Sequence, residues 1–410
     1  MYVRPKKTLA VLSYGNIIEW YDFSLYIYFS TYIAAEFFPT ESRFVSYTLA
    51  LATFFLGALV RPLGGLLVGW LGDRYNHLWV INVCVIVMGV STFMVAFLPT
   101  YETIGVMAPI FLIIIRILQG FSAGGQFPGL ITVAVNRFSS RQGFVVGLIY
   151  AVASLGLLLA SLVGFIVNSV LPEGAGSLHW RIPFMLSGVL LVIYLWLSYK
   201  YKIEYSKSTL GNPKRENVLY ALLQQWRAIV AVICLTTMAA SLYFLVFTYF
   251  VNYRIESLGV SQNSAFLVNT GVLLLACILY PIFGNVADRY GYRKVFFYAA
   301  ILLLILVYPL VALLKSGNEW FAILSLVGFT FFMAAIQGAI SPLFASVFDK
   351  EWIAAGCAFA YSIGNALSGG APMIAEILNH YSQMGLTMFV LGLMLLGFVG
   401  IWMLGKLKTP

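Results

Sequence analysis

Glu19 and Asp22 stand three residues apart in an otherwise apolar run, so a helix puts both carboxylates on one face, with Asn16 and Tyr26 extending the same polar stripe. Two arginines lie at similar depth in other apolar runs: Arg61, and Arg116 with Gln119 one turn further on. A charge in the middle of a bilayer costs at least about 2.5 to 3.5 kcal/mol, so such residues must face partners, water or cargo. The chemistry they offer is ion and proton binding. An arginine fork grips a carboxylate with two parallel hydrogen bonds and stays charged, while a buried carboxylate holds a proton that a nearby arginine loosens. Cargo competing for the arginine would then change the proton affinity of the carboxylate. On this reading Asp22 with Arg116 is the expected coupling pair and Glu19 with Arg61 the more structural one. The alternative is that both are permanent salt bridges fixing three helices. The second half of the chain offers Asn269, Gln337, Tyr361 and Asn365 as hydrogen-bonding candidates, because an amide inside an apolar span needs a partner. Tyr243 and Tyr249 read as packing or interfacial residues.

Residues of this kind need elements that cross an apolar medium. The chain is 61% hydrophobic and 10% charged, with a mean hydropathy of +0.92, whereas a soluble domain carries roughly 25% charged residues. Apolar runs of the length a helix needs to cross roughly 30 Å of hydrocarbon recur throughout. They predict helices over 9–35, 44–71, 78–99, 103–131, 143–170 and 182–200, then 228–253, 263–287, 294–315, 319–347, 353–379 and 383–405. The expected fold is an all-α membrane protein: an N-terminal half over 1–200, a polar linker over 201–227 and a C-terminal half over 228–410. Lys and Arg collect in loops at the end that carries both termini, leaving only Arg43, Arg181, Arg254 and Lys315 on the other, which predicts cytoplasmic termini. The net charge of +9 is spread through those loops and does not form a nucleic-acid surface. Cys84, Cys234, Cys277 and Cys357 sit inside apolar runs without paired spacing, so neither a disulfide framework nor a metal site is expected. His77, His179 and His380 are expected in loops, and Glu376 near the outer end of its span, solvated.

An internal repeat appears after the second and eighth runs: Gly69-Trp-Leu-Gly-Asp73-Arg74-Tyr75 against Gly284-Asn-Val-Ala-Asp288-Arg289-Tyr290. These loops resemble the G-x-x-x-D-R-x-G-R-[KR] signature of the major facilitator superfamily. The second copy, GNVADRYGYRK, is close; the first, GWLGDRYNHLW, has Asn76 where a glycine is usual and lacks the terminal basic pair. Further segments are similar to the metabolite:proton symporter branch, which includes transporters of citrate, 2-oxoglutarate, shikimate and proline/betaine. They are GNIIEWYDFSLYIY in the first run, Arg61-Pro62-Leu-Gly-Gly, Trp180-Arg181-Ile-Pro-Phe184, and Tyr361-Ser-Ile-Gly-Asn365 through Gly369-Gly-Ala-Pro372. Gln126 stands where that branch commonly has a glutamate, which adds Gln126 to the substrate candidates and removes one carboxylate.

The resemblance implies a major facilitator fold, two six-helix halves rocking about a mid-membrane site, in a bacterial inner membrane. It implies gating roles for Gly69, Asp73, Arg74, Gly284, Asp288 and Arg289. The expected activity is symport of a small organic anion or zwitterion with protons, by a monomer in contact with membrane lipid and without a cofactor. A proton-coupled exporter and a transporter-like ligand sensor remain as alternatives. No phosphate-cradling loop, zinc-protease helix or nucleophile–base pair supports an enzyme. Glycines at Gly65-x-x-x-Gly69 and Gly120-x-x-x-Gly124 predict close helix packing.

Overall fold

The computed structural model describes residues 5–71, 77–124, 126–127, 131, 141–172, 175–201, 224–345, 347–348 and 353–406. Within them the chain crosses from end to end twelve times, all in helices. Span one is Pro5–Tyr28 followed by Ser30–Phe37; span two is Arg43–Leu71, span three His77–Val95, and span four Met107–Ala123 preceded by the short turn Tyr101–Ile104. Spans five and six are Gln142–Val170 and Leu178–Lys200. Span seven runs through Trp226–Phe244, a π-helical turn at Leu245–Tyr249, and Phe250–Leu258. Spans eight, nine and ten are Gln262–Tyr290, Tyr292–Lys315 and Glu319–Ala345. Span eleven is broken into Ile353–Ser368 and Ala371–Tyr381, and span twelve is Gly385–Lys406. The predicted linker lies mostly outside the described residues, as do Asp73 and Arg74 of the first signature loop.

Eight of these helices are long and apolar enough to cross a membrane, and two shorter apolar helices, Asn82–Val95 and Met107–Ala123, join them. Span one carries Glu19 and Asp22 within the unbroken helix Pro5–Tyr28 and is interrupted only at Phe29, while span eleven is interrupted at its glycine pair. The outward surface is greasy: Val192, Ile305, Leu324 and Leu395 are each more than half exposed. Apolar cover of this extent suits hydrocarbon rather than water.

Glycines set how closely the helices approach. A Cβ on Gly120 of span four would sit 1.7 Å from the Gly57 carbonyl oxygen of span two, and one on Gly64 would sit 1.9 Å from that of Phe121. Spans two and four therefore touch backbone to backbone, which fixes the spacing of Arg61 and Arg116. Gly65, also expected to pack closely, faces Gly124 and Ser362. The same device joins the two halves: a Cβ on Gly284 of span eight would meet the Gly143 carbonyl oxygen of span five at 2.1 Å.

Both ends of the bundle are closed between the halves. At the end carrying the termini, the Asp288 carboxylate accepts hydrogen bonds from the Gly143 and Phe144 backbone N–H groups at 2.8 and 2.9 Å, and from Tyr292 Oη at 2.5 Å. These N–H groups open span five, where the helix leaves donors unsatisfied and its dipole favours an anion. At the far end Tyr28 Oη donates to the Phe247 carbonyl at 2.7 Å, Thr31 to Glu256 at 3.1 Å and Tyr32 to Gln262 at 3.1 Å. Asn252 donates to the Ile27 carbonyl, and Arg43 pairs with Glu256. The π turn of span seven supplies the Phe247 carbonyl, placing the backbone irregularity at this closure.

Replacing Gly120 by alanine should lower stability by about 1–3 kcal/mol, because neither backbone has room to give. Thermal unfolding in detergent, with the open-sided Gly392→Ala as control, measures it: an unchanged melting temperature for Gly120→Ala would contradict the packing described.

Candidate transport site

Span one delivers both carboxylates into the first six spans, where they meet one arginine each. Asp22 is fully buried, and its oxygens accept from Thr92 Oγ1 at 2.7 Å, Gln119 Nε2 at 2.7 Å and Arg116 Nη1 at 3.2 Å. The Arg116 guanidinium also lies 4.0 Å over the Tyr26 ring, whose hydroxyl donates to the Ala50 carbonyl at 3.0 Å. Spans one, two, three and four are thus tied together around one ion pair whose carboxylate has three donors.

Glu19 and Arg61 are arranged differently. Their closest atoms, Glu19 Oε1 and Arg61 Nη2, are 3.8 Å apart. Arg61 Nη1 donates to Asn365 Oδ1 of span eleven, across the boundary between the halves, and the guanidinium lies 3.9 Å over the Phe23 ring. Glu19 Oε2, Arg61 Nε and Arg61 Nη2 have no hydrogen-bond partner among the described residues. Pro62 follows Arg61 directly and removes one N–H from the helix ladder, loosening the turn from which Arg61 projects.

Glu19 and Arg61 line a small cavity of about 10 Å³ together with Trp20, Phe127, Tyr361 and Asn365. A second, of about 20 Å³, shares Trp20, Tyr361 and Asn365 and adds Tyr150, Tyr243, Gln337 and Phe344. Each has room for about one water molecule. With the halves in contact at both ends among the described residues, the two cavities lie enclosed between them, each too small for an organic cargo.

The structure therefore divides the residues expected to bind cargo. Arg61, Gln337, Tyr361 and Asn365 line the cavities. Arg116, Gln119 and Tyr26 surround Asp22 and line neither. Gln126 is buried beside Gly15 of span one, and Asn269 bonds Tyr28 Oη at 2.6 Å near the far closure. Of the residues expected to gate, Gly284 and Asp288 make the contacts between spans five and eight, and Arg289 is exposed; the surroundings of Gly69 and all of Asp73 and Arg74 lie outside the described residues.

Two side chains were not singled out from the sequence, and several that were named stand differently from the expectation. Thr92 gave no signal, since a lone hydroxyl in an apolar helix commonly bonds its own backbone. Trp20, between the two carboxylates in the chain, lines both cavities. Arg254 is not a loop residue: it lies inside Phe250–Leu258, fully buried, 3.1 Å from Glu319. Glu376 is not simply solvated but accepts from Tyr249 Oη at 2.9 Å. His179 and His380 stand on helices, the first bonded to Asn168 at 3.0 Å and the second stacked on Phe44; His77 opens span three.

A bundle of twelve apolar spans closed at both ends around a buried ion pair and a central cavity is the architecture of a secondary membrane transporter. The chain belongs to the Major Facilitator Superfamily, whose family model matches residues 12–372. It is 30% identical to the citrate-proton symporter of Klebsiella pneumoniae, over 90% of this chain and 84% of that protein. It is 28% identical to the proline/betaine transporter of Escherichia coli (strain K12), over 97% of this chain and 82% of the other. Among solved structures, a D-xylose-proton symporter superposes with a TM-score of 0.72 at 16% identity, covering 98% of both chains.

Breaking a buried ion pair by neutralising one partner typically costs about 3–5 kcal/mol. Asp22→Asn should fall in that range and Glu19→Gln well below it, because only Asp22 is fully bonded. Melting temperatures of the two purified variants test this, and equal losses would contradict the difference in bonding.

Proposed function

We propose that the chain is a proton-coupled symporter of a small carboxylate-bearing metabolite, working by alternating access between the halves 1–200 and 228–410. The observation that carries this reading is the half-bonded Glu19–Arg61 pair at the cavity. Arg61 has donors to spare for a cargo carboxylate and already reaches the second half through Asn365. When cargo takes the guanidinium, Glu19 loses its counter-charge and keeps a proton; when cargo leaves, Arg61 returns to Glu19 and the proton departs. Substrate and proton thus travel together without a direct contact. The geometry favours Glu19 over Asp22 as the proton carrier, since Asp22 is held by three donors and serves as the brace of spans one, three and four.

Binding of cargo to Arg61 and Asn365 at once draws the halves together, and their separation at one end or the other releases it. Asp288 on the first turn of span five is the latch at the termini end; the contacts of span one with spans seven and eight are the latch opposite. The relatives named as a citrate-proton symporter and a proline/betaine transporter support symport of a carboxylate-bearing cargo, while differing in what they carry. We place the protein in a bacterial inner membrane as a monomer, with both termini cytoplasmic following the Lys and Arg asymmetry.

Proteoliposomes offered radiolabelled organic acids, amino acids and betaines, with and without an inward proton gradient, should accumulate one class only when the gradient is present. Glu19→Gln should lose that accumulation while retaining exchange of internal for external cargo. Accumulation by Glu19→Gln equal to the parent protein would remove Glu19 from the coupling step. Flux of every compound insensitive to the gradient would remove symport itself.

A further inference from the structure

The two small cavities share one wall and differ in chemistry. Arg61 and Glu19 are the charged residues of the first, and the second has no charged lining residue among those described. Around them stand six aromatic rings: Trp20, Phe127, Tyr150, Tyr243, Phe344 and Tyr361. Trp20 meets Tyr243 edge to face at 5.0 Å and Phe127 at 5.8 Å, and Phe127 stacks on Tyr361 at 5.5 Å. The rings come from spans one, five, seven, ten and eleven and from Phe127 shortly after span four, so both halves contribute.

We propose that the cargo is a small zwitterion with a single carboxylate and a methylated, quaternary ammonium group, its carboxylate on Arg61 and its cation among the rings. This rests on the symport reading above and narrows its substrate class. Arg116 bonds Asp22 and lines neither cavity, so among the described residues Arg61 is the guanidinium that faces the cavities, and it answers one carboxylate. A di- or tricarboxylate would bury further negative charge against aromatic faces, which repel it. Those faces attract cations instead, and the protein already uses them so: the guanidinium groups paired with Glu19 and Asp22 each lie about 4 Å over a ring, Arg61 on Phe23 at 3.9 Å and Arg116 on Tyr26 at 4.0 Å.

The form of the ammonium follows from hydrogen bonding. A primary ammonium carries three N–H donors that need acceptors once water is excluded. The second cavity has two unpartnered side-chain oxygens, Thr236 Oγ1 and Gln337 Oε1. The remaining carboxylate, Glu19, holds the proton in the loaded state and is no longer a counter-ion. A quaternary ammonium has no donors to satisfy, so it needs only the ring faces. Trp20, Phe127 and Tyr361 line the same cavity as Arg61, which matches a cation one carbon away from its carboxylate.

The test uses the full chain in proteoliposomes with an inward proton gradient and radiolabelled glycine betaine. Unlabelled glycine betaine, citrate and tert-butylacetate, in which carbon replaces the quaternary nitrogen, serve as competitors. Gradient-driven uptake of glycine betaine is expected, with tert-butylacetate at least about tenfold weaker than glycine betaine as a competitor. Trp20→Leu should raise KM for glycine betaine about tenfold, and Trp20→Phe, which keeps a ring, should recover most of it. Equal competition by tert-butylacetate would overturn recognition of the cation, without recourse to any variant. Gradient-driven uptake of citrate in place of glycine betaine would overturn the zwitterion while leaving symport standing. Failure of the gradient to drive any compound of the wider panel would overturn the symport reading and this inference with it.

Discussion

A guanidinium cannot shed its charge, and in a medium without water it must be matched by something that stays put or by something that moves. Asp22 and Glu19 provide one of each. They leave span one from the same face, three residues apart, and reach arginines on two different spans. Asp22 is locked by Thr92, Gln119 and Arg116, so its pair behaves as part of the scaffold. Glu19 stands 3.8 Å from Arg61 with one oxygen left over, whereas both Asp22 oxygens are bonded. On the proposed mechanism the tightly bonded pair holds spans one and four in place while Arg61 exchanges Glu19 for cargo.

The glycines serve the same end. Spans two and four approach until Gly57 and Gly120 touch, and spans five and eight until Gly143 and Gly284 touch. The first contact sets where Arg61 and Arg116 project. The second brings the N-terminus of span five within reach of Asp288, so closure at that end combines backbone packing with a charge-assisted latch. The opposite end is closed mainly by side chains giving hydrogen bonds to carbonyls and carboxylates, a set that can exchange for water without rebuilding a packed surface. The two closures thus differ in kind.

The twelve spans were legible because hydrocarbon imposes length and apolarity on every crossing, and each expected run overlaps an observed helix. The interruptions were less so. Span seven was expected to stop at 253 because Arg254 reads as a loop charge; the helix continues to Leu258 because Glu319 meets that charge. Hydropathy is also blind to backbone geometry, so the π turn at Leu245–Tyr249 carried no warning, whereas the break in span eleven lies at the visible Gly369-Gly370 pair. That two carboxylates and two arginines share one depth was legible, but depth alone does not say which meets which; the expected pairs, Glu19 with Arg61 and Asp22 with Arg116, are those observed. Their unequal tightness was not legible, since it depends on Thr92, Gln119 and Asn365, which approach from other spans. The aromatic lining was hidden by abundance: with 32 Phe, 25 Tyr and 9 Trp in the chain, nothing in the sequence separates a lining ring from a packing one.

The central claim is that cargo and Glu19 compete for one guanidinium. It is tested most directly by following the proton itself when cargo binds to the purified protein in weakly buffered detergent solution, with a pH indicator as the readout. Above the pH at which free Glu19 ionises, binding should draw about one proton from solution per cargo bound, and Glu19→Gln should bind cargo without that uptake. Proton uptake of the same size in Glu19→Gln would contradict the competition and move the coupling to another group.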